Sequence, residues 1–145
     1  VDTTQAGLVL GFEFLGFPTR VRGFSPLKSR GDLRADMAKI ANQGARRLGL
    51  DMALDAGAFD NDQSHVGQRY GIPTPEGLEA LRTVARTEGI LLDPCYTGKA
   101  FNGMLGELRK DPSRFGNKIL FLHSGGALAD FAYAEQFRAA LMQFP

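Results

Sequence analysis

The stretch NKILFLHSGG, residues 117–126, constrains the fold more than any other. Its core, Ile119 to Leu122, is wholly apolar, with Lys118 before it and His-Ser-Gly-Gly behind it. A continuous apolar run this short suits a strand buried on both faces, the kind used in parallel sheets. The helix-like stretch GGALADFAYAEQFRAALM follows at once. A buried strand that runs through glycines into a helix predicts an α/β fold with a mostly parallel sheet flanked by helices. Ligands of such sheets bind beyond the carboxyl ends of the strands. Residues 117–123 are therefore the best strand of the chain, and Ser124 and Gly125 stand at a ligand-facing end.

The other elements follow from periodicity and caps. TTQAGLVLGFEFLG predicts a helix from Thr3 to Leu15, with Thr4 as N-cap and Leu8, Leu10, Phe12 and Leu15 as its apolar positions. TRVRGFS (19–25) reads as a short strand. Residues 32–50 place Leu33, Met37, Ile40, Ala41 and Leu48 at helical spacing, with Asp32 first and Arg46-Arg47 last, a polarity that suits the helix dipole. Residues 51–69 are polar and glycine-rich, and read as a long loop holding one short strand. Thr74 and Pro75 open a helix that Gly89 closes, with Leu78, Leu81, Val84 and Ala85 along one face. Residues 97–111 form the next helix, with Ala100, Met104, Leu105 and Leu108 inward and Lys99 at the surface.

The 145 residues suffice for one domain with a core, and 43% apolar with 23% charged residues is globular composition. The net charge of +1 supplies no field to recruit nucleic acid or an acidic membrane. Arg20, Arg22, Lys28, Arg30 and Arg34 cluster, but Asp32 and Asp36 interrupt them, which reads as a solvated face. No apolar run approaches the roughly 18–20 residues that span a bilayer, so no membrane partner is expected. Cys95 is the single cysteine, which excludes an internal disulfide and fits a reducing, cytoplasmic compartment. Cys95 itself reads as a small buried filler.

Several groups could carry chemistry. Ser124-Gly125-Gly126 could present a hydroxyl and amides to a ligand, or could simply be a tight turn that needs glycine. Thr3 and Thr4 could hold a phosphate or merely cap a helix, and Asp2 beside them would repel an anion. Tyr70 and Tyr96 sit in glycine- and proline-rich loops beside helix starts, where a phenol can move a proton or rest half-buried. His65 and His123 form no metal-ligand set with any cysteine or carboxylate spacing, so no metal is expected.

Three segments, TQAGLVLGFEFLG, YGIPTPEGLEALRTVARTEGILLDPCYTGKAFNGML and ILFLHSGGALADFAY, closely resemble the C-terminal half of the D-cysteine desulfhydrase / 1-aminocyclopropane-1-carboxylate deaminase family. The likeness runs over nearly the whole chain and is weakest at 51–66. It implies a pyridoxal 5′-phosphate enzyme of tryptophan-synthase-β-like fold, with residues 1–145 forming most of the cofactor domain and the N-terminal half absent. It implies that Tyr70 and Tyr96 face the substrate, and that Thr3, Thr4, Thr97, Ser124 and Gly125 bind the cofactor. The cyclopropane deaminases of the family carry Glu after the second tyrosine and Leu in the H-x-GG loop, whereas the desulfhydrases carry hydroxyl residues at both places. Thr97 and Ser124 thus imply the desulfhydrase side. A neutral hydroxyl leaves the pyridine ring a weaker electron sink than a Glu would, which favours β-elimination over ring opening. The implied reaction converts D-cysteine, or a related β-substituted amino acid, to pyruvate, ammonia and sulfide. The alternatives are 1-aminocyclopropane-1-carboxylate deaminase, L-cysteate sulfo-lyase, and an inert fragment or binding half-domain. The family's cofactor-bearing lysine belongs to the other half, so a complementary chain or segment and a homodimer are the expected partners, besides a small amino-acid substrate.

Overall fold

The computed structural model describes residues 2–142. The chain divides into two compact units, one ending at Gln63 and the other beginning at Ser64.

The first unit holds α1 (Thr3–Leu15), β1 (Arg22–Phe24), α2 (Leu33–Arg47), a 3-10 turn at Ala56–Ala58 and β2 (Asp60–Asp62). Asp32 caps α2 by accepting from the amides of Arg34 (3.0 Å) and Ala35 (3.2 Å), as an Asp at a helix start should. The apolar faces of α1 and α2 meet through Ala6, Val9, Leu10, Met37, Ala41 and Ala45, and Phe59 closes the cluster at 1% exposure. Alanines on both helices let the axes approach closely. The predicted apolar position Leu15 is exposed, and so is Leu48, because each lies at the end of its helix beyond the packed face.

β1 and β2 pair in parallel, with Arg22 opposite Asp60, Gly23 opposite Asn61 and Phe24 opposite Asp62. The pair is held by polar groups. Arg22 contacts Asp60 and Asp62, and its guanidinium lies 5.5 Å from the Phe24 ring centre. Gln5 reaches from α1 and donates to the Asp60 carbonyl at 2.7 Å, while Asn61 Nδ2 donates to Gln5 Oε1 at 2.7 Å. Lys28, Arg30 and Arg34 are exposed, as a solvated face requires.

The second unit holds α3 (Pro75–Glu88), α4 (Thr97–Lys110), a 3-10 helix at Ala127–Tyr133 and α5 (Ala134–Met142). Thr74 caps α3 through the Gly77 amide at 3.0 Å, and Gly89 ends it with φ +68°. Both features match the sequence expectation. Leu81, Val84 and Leu92 form the core of this unit, with Phe101, Phe121 and Phe137 packed on it. Helices α3 and α4 touch at glycine: a Cβ on Gly98 would come within 3.4 Å of the Gly77 carbonyl oxygen.

Three expectations change. Residues 117–123 form no strand, and Leu120 is 88% exposed. Among the described residues only β1 and β2 are strands, so this apolar run has no neighbour to pair with. The buried positions of α4 are Thr97, Gly98, Lys99 and Gly103, while Ala100, Met104, Leu105 and Leu108 are half-buried. The face nearest α3 is built from small residues, which lets the two helices approach closely. Lys99 is not a surface residue: it is 2% exposed.

Candidate functional site

Asp93 organises the second unit's chemistry. It is fully buried and receives hydrogen bonds on both carboxyl oxygens. Oδ1 accepts from the amides of Cys95 (2.9 Å) and Tyr96 (2.6 Å), and Oδ2 from the amide (2.8 Å) and hydroxyl (2.7 Å) of Thr97. The DPCYT sequence thus folds into a cap made by the residue three places before the helix's own N-cap, Tyr96. A carboxylate at a helix N-terminus is stabilised by the orphan amides and the dipole. Its effect is to set Tyr96 at the mouth of α4.

Tyr96 meets Tyr70 there. The two hydroxyls are in hydrogen-bond contact, and the rings stand edge to face at 5.9 Å and 68°. Both rings are nearly half exposed, 49% for Tyr70 and 44% for Tyr96. The hydrogen bond with Tyr96 pushes the Tyr70 phenol up to about 12. A hydrogen bond made by the neutral phenol is lost on ionisation, so the contact favours the neutral form of Tyr70. Such a pair can pass a proton between a ligand and water without carrying net charge.

Ser124, Gly125 and Gly126 are exposed, and both glycines have positive φ, +107° and +98°. The backbone therefore requires glycine here, as the turn reading holds. This loop lies against the same carboxylate, since a Cβ on Gly126 would stand 2.7 Å from Asp93 Oδ2. A Cβ on Gly125 would meet nothing within 4 Å. Gly126 and the Tyr96–Thr97 turn thus both pack against Asp93. Thr97 itself is buried, and its hydroxyl donates to Asp93 Oδ2 and accepts from the Asp93 amide at 2.9 Å. Its hydrogen is engaged, so toward a ligand it has a lone pair to offer.

Asp130 also stands near Asp93. Its Oδ1 is buried with no hydrogen-bond partner, and desolvation, then the Asp93 charge, raise its carboxyl above the ordinary value. His123 donates from Nε2 to the Leu91 carbonyl at 3.1 Å. An open groove of about 680 Å³ beside Asp130 has mainly apolar walls, including Leu91, Leu128 and Phe131. Among the described residues no cluster of His, Cys, Asp and Glu is suited to a metal ion. Cys95 is buried at 4% exposure, in line with a filler.

Thr3 and Thr4 belong to the first unit. They lie in the first turn of α1 rather than capping it, because Asp2 holds the N-cap position in the left-handed region at φ 67°. The Asp2 side chain caps nothing, and both threonines are exposed. The turn therefore offers hydroxyls and uncapped amides, the donor set that suits a phosphate ester. Burial pushes the Asp2 carboxyl up from its ordinary value. In the other unit, exposed phenols and a glycine loop carrying a hydroxyl suit a polar heteroaromatic ring.

Sequence reasoning missed Asp93, Tyr133 and the burial of Lys99. Asp93 had a usable signal: an Asp three residues ahead of the helix's first apolar turn is a capping pattern. Tyr133 had none, being one aromatic in a helical run.

Comparison with known proteins places these features in a family. The profile of the family described as pyridoxal-phosphate dependent enzyme matches residues 3–125. The chain is 38% identical over 136 residues to a 1-aminocyclopropane-1-carboxylate deaminase of Burkholderia ambifaria, covering 94% of this chain and 40% of that one. The figures are the same for the protein of that name from Burkholderia vietnamiensis. Among solved structures, a crystal structure of an ACC deaminase homologue superposes with a TM-score of 0.83 at 31% identity, again over 94% of this chain and 40% of the other. The chain thus spans 40% of the length of the relatives it matches. The α/β, tryptophan-synthase-β-like fold is borne out by these matches, with its helices and parallel strands. The chain belongs to the pyridoxal-phosphate dependent enzyme family.

Proposed function

We propose that this chain is the C-terminal part of a pyridoxal-phosphate dependent lyase that deaminates a small amino acid, with 1-aminocyclopropane-1-carboxylate as the first candidate substrate. The observation that carries the reading is the contact between the Tyr70 and Tyr96 hydroxyls, beside the Ser124–Gly126 loop. The names of the relatives support the cyclopropane substrate over the D-cysteine implied by Thr97 and Ser124. When bound, pyridoxal phosphate supplies an electron sink for the substrate's α-carbon. Thr3 and Thr4 would hold its phosphate, and Ser124, Gly125 and Thr97 its ring. Tyr70 and Tyr96 would orient the substrate and move a proton to or from it. The lysine that carries the cofactor would come from the remaining length of the protein, so the isolated chain is expected to be inactive.

A second reading keeps D-cysteine, or L-cysteate, as substrate. The observation in its favour is Thr97, a neutral hydroxyl already committed to Asp93. We also expect a homodimer in the cytoplasm, which light scattering and fractionation check. The test of function is to assay the whole protein that carries this chain with both substrates. The cyclopropane reading expects ammonia and a four-carbon 2-oxo acid; the other expects pyruvate and ammonia, with sulfide from D-cysteine or sulfite from L-cysteate, which is assayed as well. Release of neither pair, by a protein that holds the cofactor, sinks both.

A further inference from the structure

The loop that carries Tyr70, residues 64–74, belongs to no helix or strand. Gly67 and Gly71 both have φ +75°, so the backbone turns sharply on either side of the tyrosine. The Tyr70 ring is half exposed, and packing alone does not fix it. Something else must hold the phenol against Tyr96.

Two side chains from other elements grip this loop by its carbonyls. Lys99, in the first turn of α4, donates from Nζ to the Val66 carbonyl at 2.6 Å and to the Arg69 carbonyl at 3.4 Å. Tyr133, at the end of the 3-10 helix, donates its hydroxyl to the Gly71 carbonyl at 2.8 Å. Arg69 and Gly71 are the two neighbours of Tyr70. We propose that Lys99 and Tyr133 are positioning residues that clamp the backbone on both sides of Tyr70 and hold its phenol against that of Tyr96.

The chemistry of the clamp supports this. A buried ammonium is costly, and a space-filling role would be served by an apolar side chain. Lys99 is 2% exposed, and its recorded hydrogen bonds go to loop carbonyls rather than to a carboxylate. It therefore spends its charge on loop geometry. Its helix is the one whose N-cap is Tyr96, so it ties one phenol's loop to the other phenol's helix. Tyr133 ties the same loop to the segment that follows Ser124–Gly126. All three tyrosines of the chain are thus used in one arrangement.

That the clamp serves catalysis rests on the proposed function; that it exists does not. The test uses the full chain without cofactor or substrate. Tyrosine-ring NMR follows the phenols through a pH titration, with Tyr70→Phe assigning the signal and Tyr96→Phe setting the value without the contact. In the native chain the Tyr70 midpoint is expected at about 12. Tyr133→Phe, which removes one oxygen, and Lys99→Met, which keeps the stem, should each bring that midpoint down by about one pH unit or more, toward the ordinary phenol value of about 10. A folded amide spectrum must accompany the change. If Lys99→Met does not fold, Tyr133→Phe decides alone. A folded Tyr133→Phe chain in which Tyr70 titrates as in the native one overturns the proposal, as does a native Tyr70 that titrates like a free phenol. An error in the proposed substrate changes neither result, because no substrate is present.

Discussion

Asp93 and Thr97 bind each other three times: the Asp93 amide donates to Thr97 Oγ1 at 2.9 Å, and Thr97 returns its amide and its hydroxyl to Asp93 Oδ2 at 2.8 and 2.7 Å. Two residues four apart close a ring at the start of α4, and Tyr96 is held inside it. Asp93→Asn keeps the shape but replaces an acceptor oxygen with a donor that faces other donors. We expect a loss of about 2–3 kcal/mol in the second unit, the usual range for hydrogen bonds to a buried charge. Urea denaturation read by tyrosine fluorescence measures it, because the chain has no Trp and its three tyrosines all lie in this unit.

The Tyr70–Tyr96 contact sets a pH dependence. The folded state holds the Tyr70 proton up to about 12, whereas the unfolded state releases it near about 10. Between those values the folded chain binds more protons, so stability falls as pH rises. The contribution is fully present below about 10 and is gone above the folded value. Urea midpoints of the native chain should decline across this window more steeply than those of Tyr96→Phe. Parallel curves would mean the two hydroxyls do not share a proton.

Glycines at two helix positions should respond in opposite directions to alanine. A Cβ at Gly98 would stand 2.8 Å from the Asp93 carbonyl oxygen, which is backbone and cannot step aside. Gly98→Ala should cost about 1–3 kcal/mol by overpacking. A Cβ at Gly11 would meet nothing within 4 Å, in the middle of α1. Gly11→Ala should stabilise by up to about 1 kcal/mol, because alanine loses less backbone freedom in a helix. Thermal melts followed by far-ultraviolet circular dichroism compare the two.

Asp130 carries an uncompensated buried oxygen beside Asp93. Asp130→Asn removes the charge at little change in size. At neutral pH the variant should be more stable than the native chain, because the desolvated charge facing Asp93 is gone. The native carboxyl is raised by desolvation. Its protonated form is therefore favoured by folding, and the native chain recovers stability as pH falls through that raised value. The advantage of the variant should shrink on acidification; an advantage that grows would contradict the assignment.

How much of this was legible in the sequence depends on where each signal resides. Helices α2 and α3 carry their own evidence: Asp32 and Thr74 as caps, and apolar residues at helical spacing. β2 falls in the 51–69 stretch expected to hold one short strand, but its own residues do not mark it, because Asp-Asn-Asp has no apolar face; Arg22 and Gln5 bind it from elsewhere in the chain. Residues 117–123 show the converse. Their apolar run states a strong preference for burial between neighbours, yet no partner strand stands beside them among the described residues. At the site, Tyr70, Tyr96 and Ser124 were readable from their loops. Asp93 was passed over although its capping contacts are local, Lys99 was read as a surface residue, and Tyr133 was not weighed, since what distinguishes the last two is long-range contact with the Tyr70 loop rather than local spacing.

Gln5, Gly23 and Asn61 are bound together in a way that bears on how the chain can vary. A Cβ at Gly23 would fall 1.9 Å from Gln5 Oε1 and 2.6 Å from Asn61 Nδ2. The missing side chain of one strand is thus the berth for an amide from a helix, which in turn holds the other strand. None of the three can drift alone. A lineage that replaces Gly23 must also give up the glutamine, and must find a new fastening for Asn61, so the three positions should be inherited as a single character.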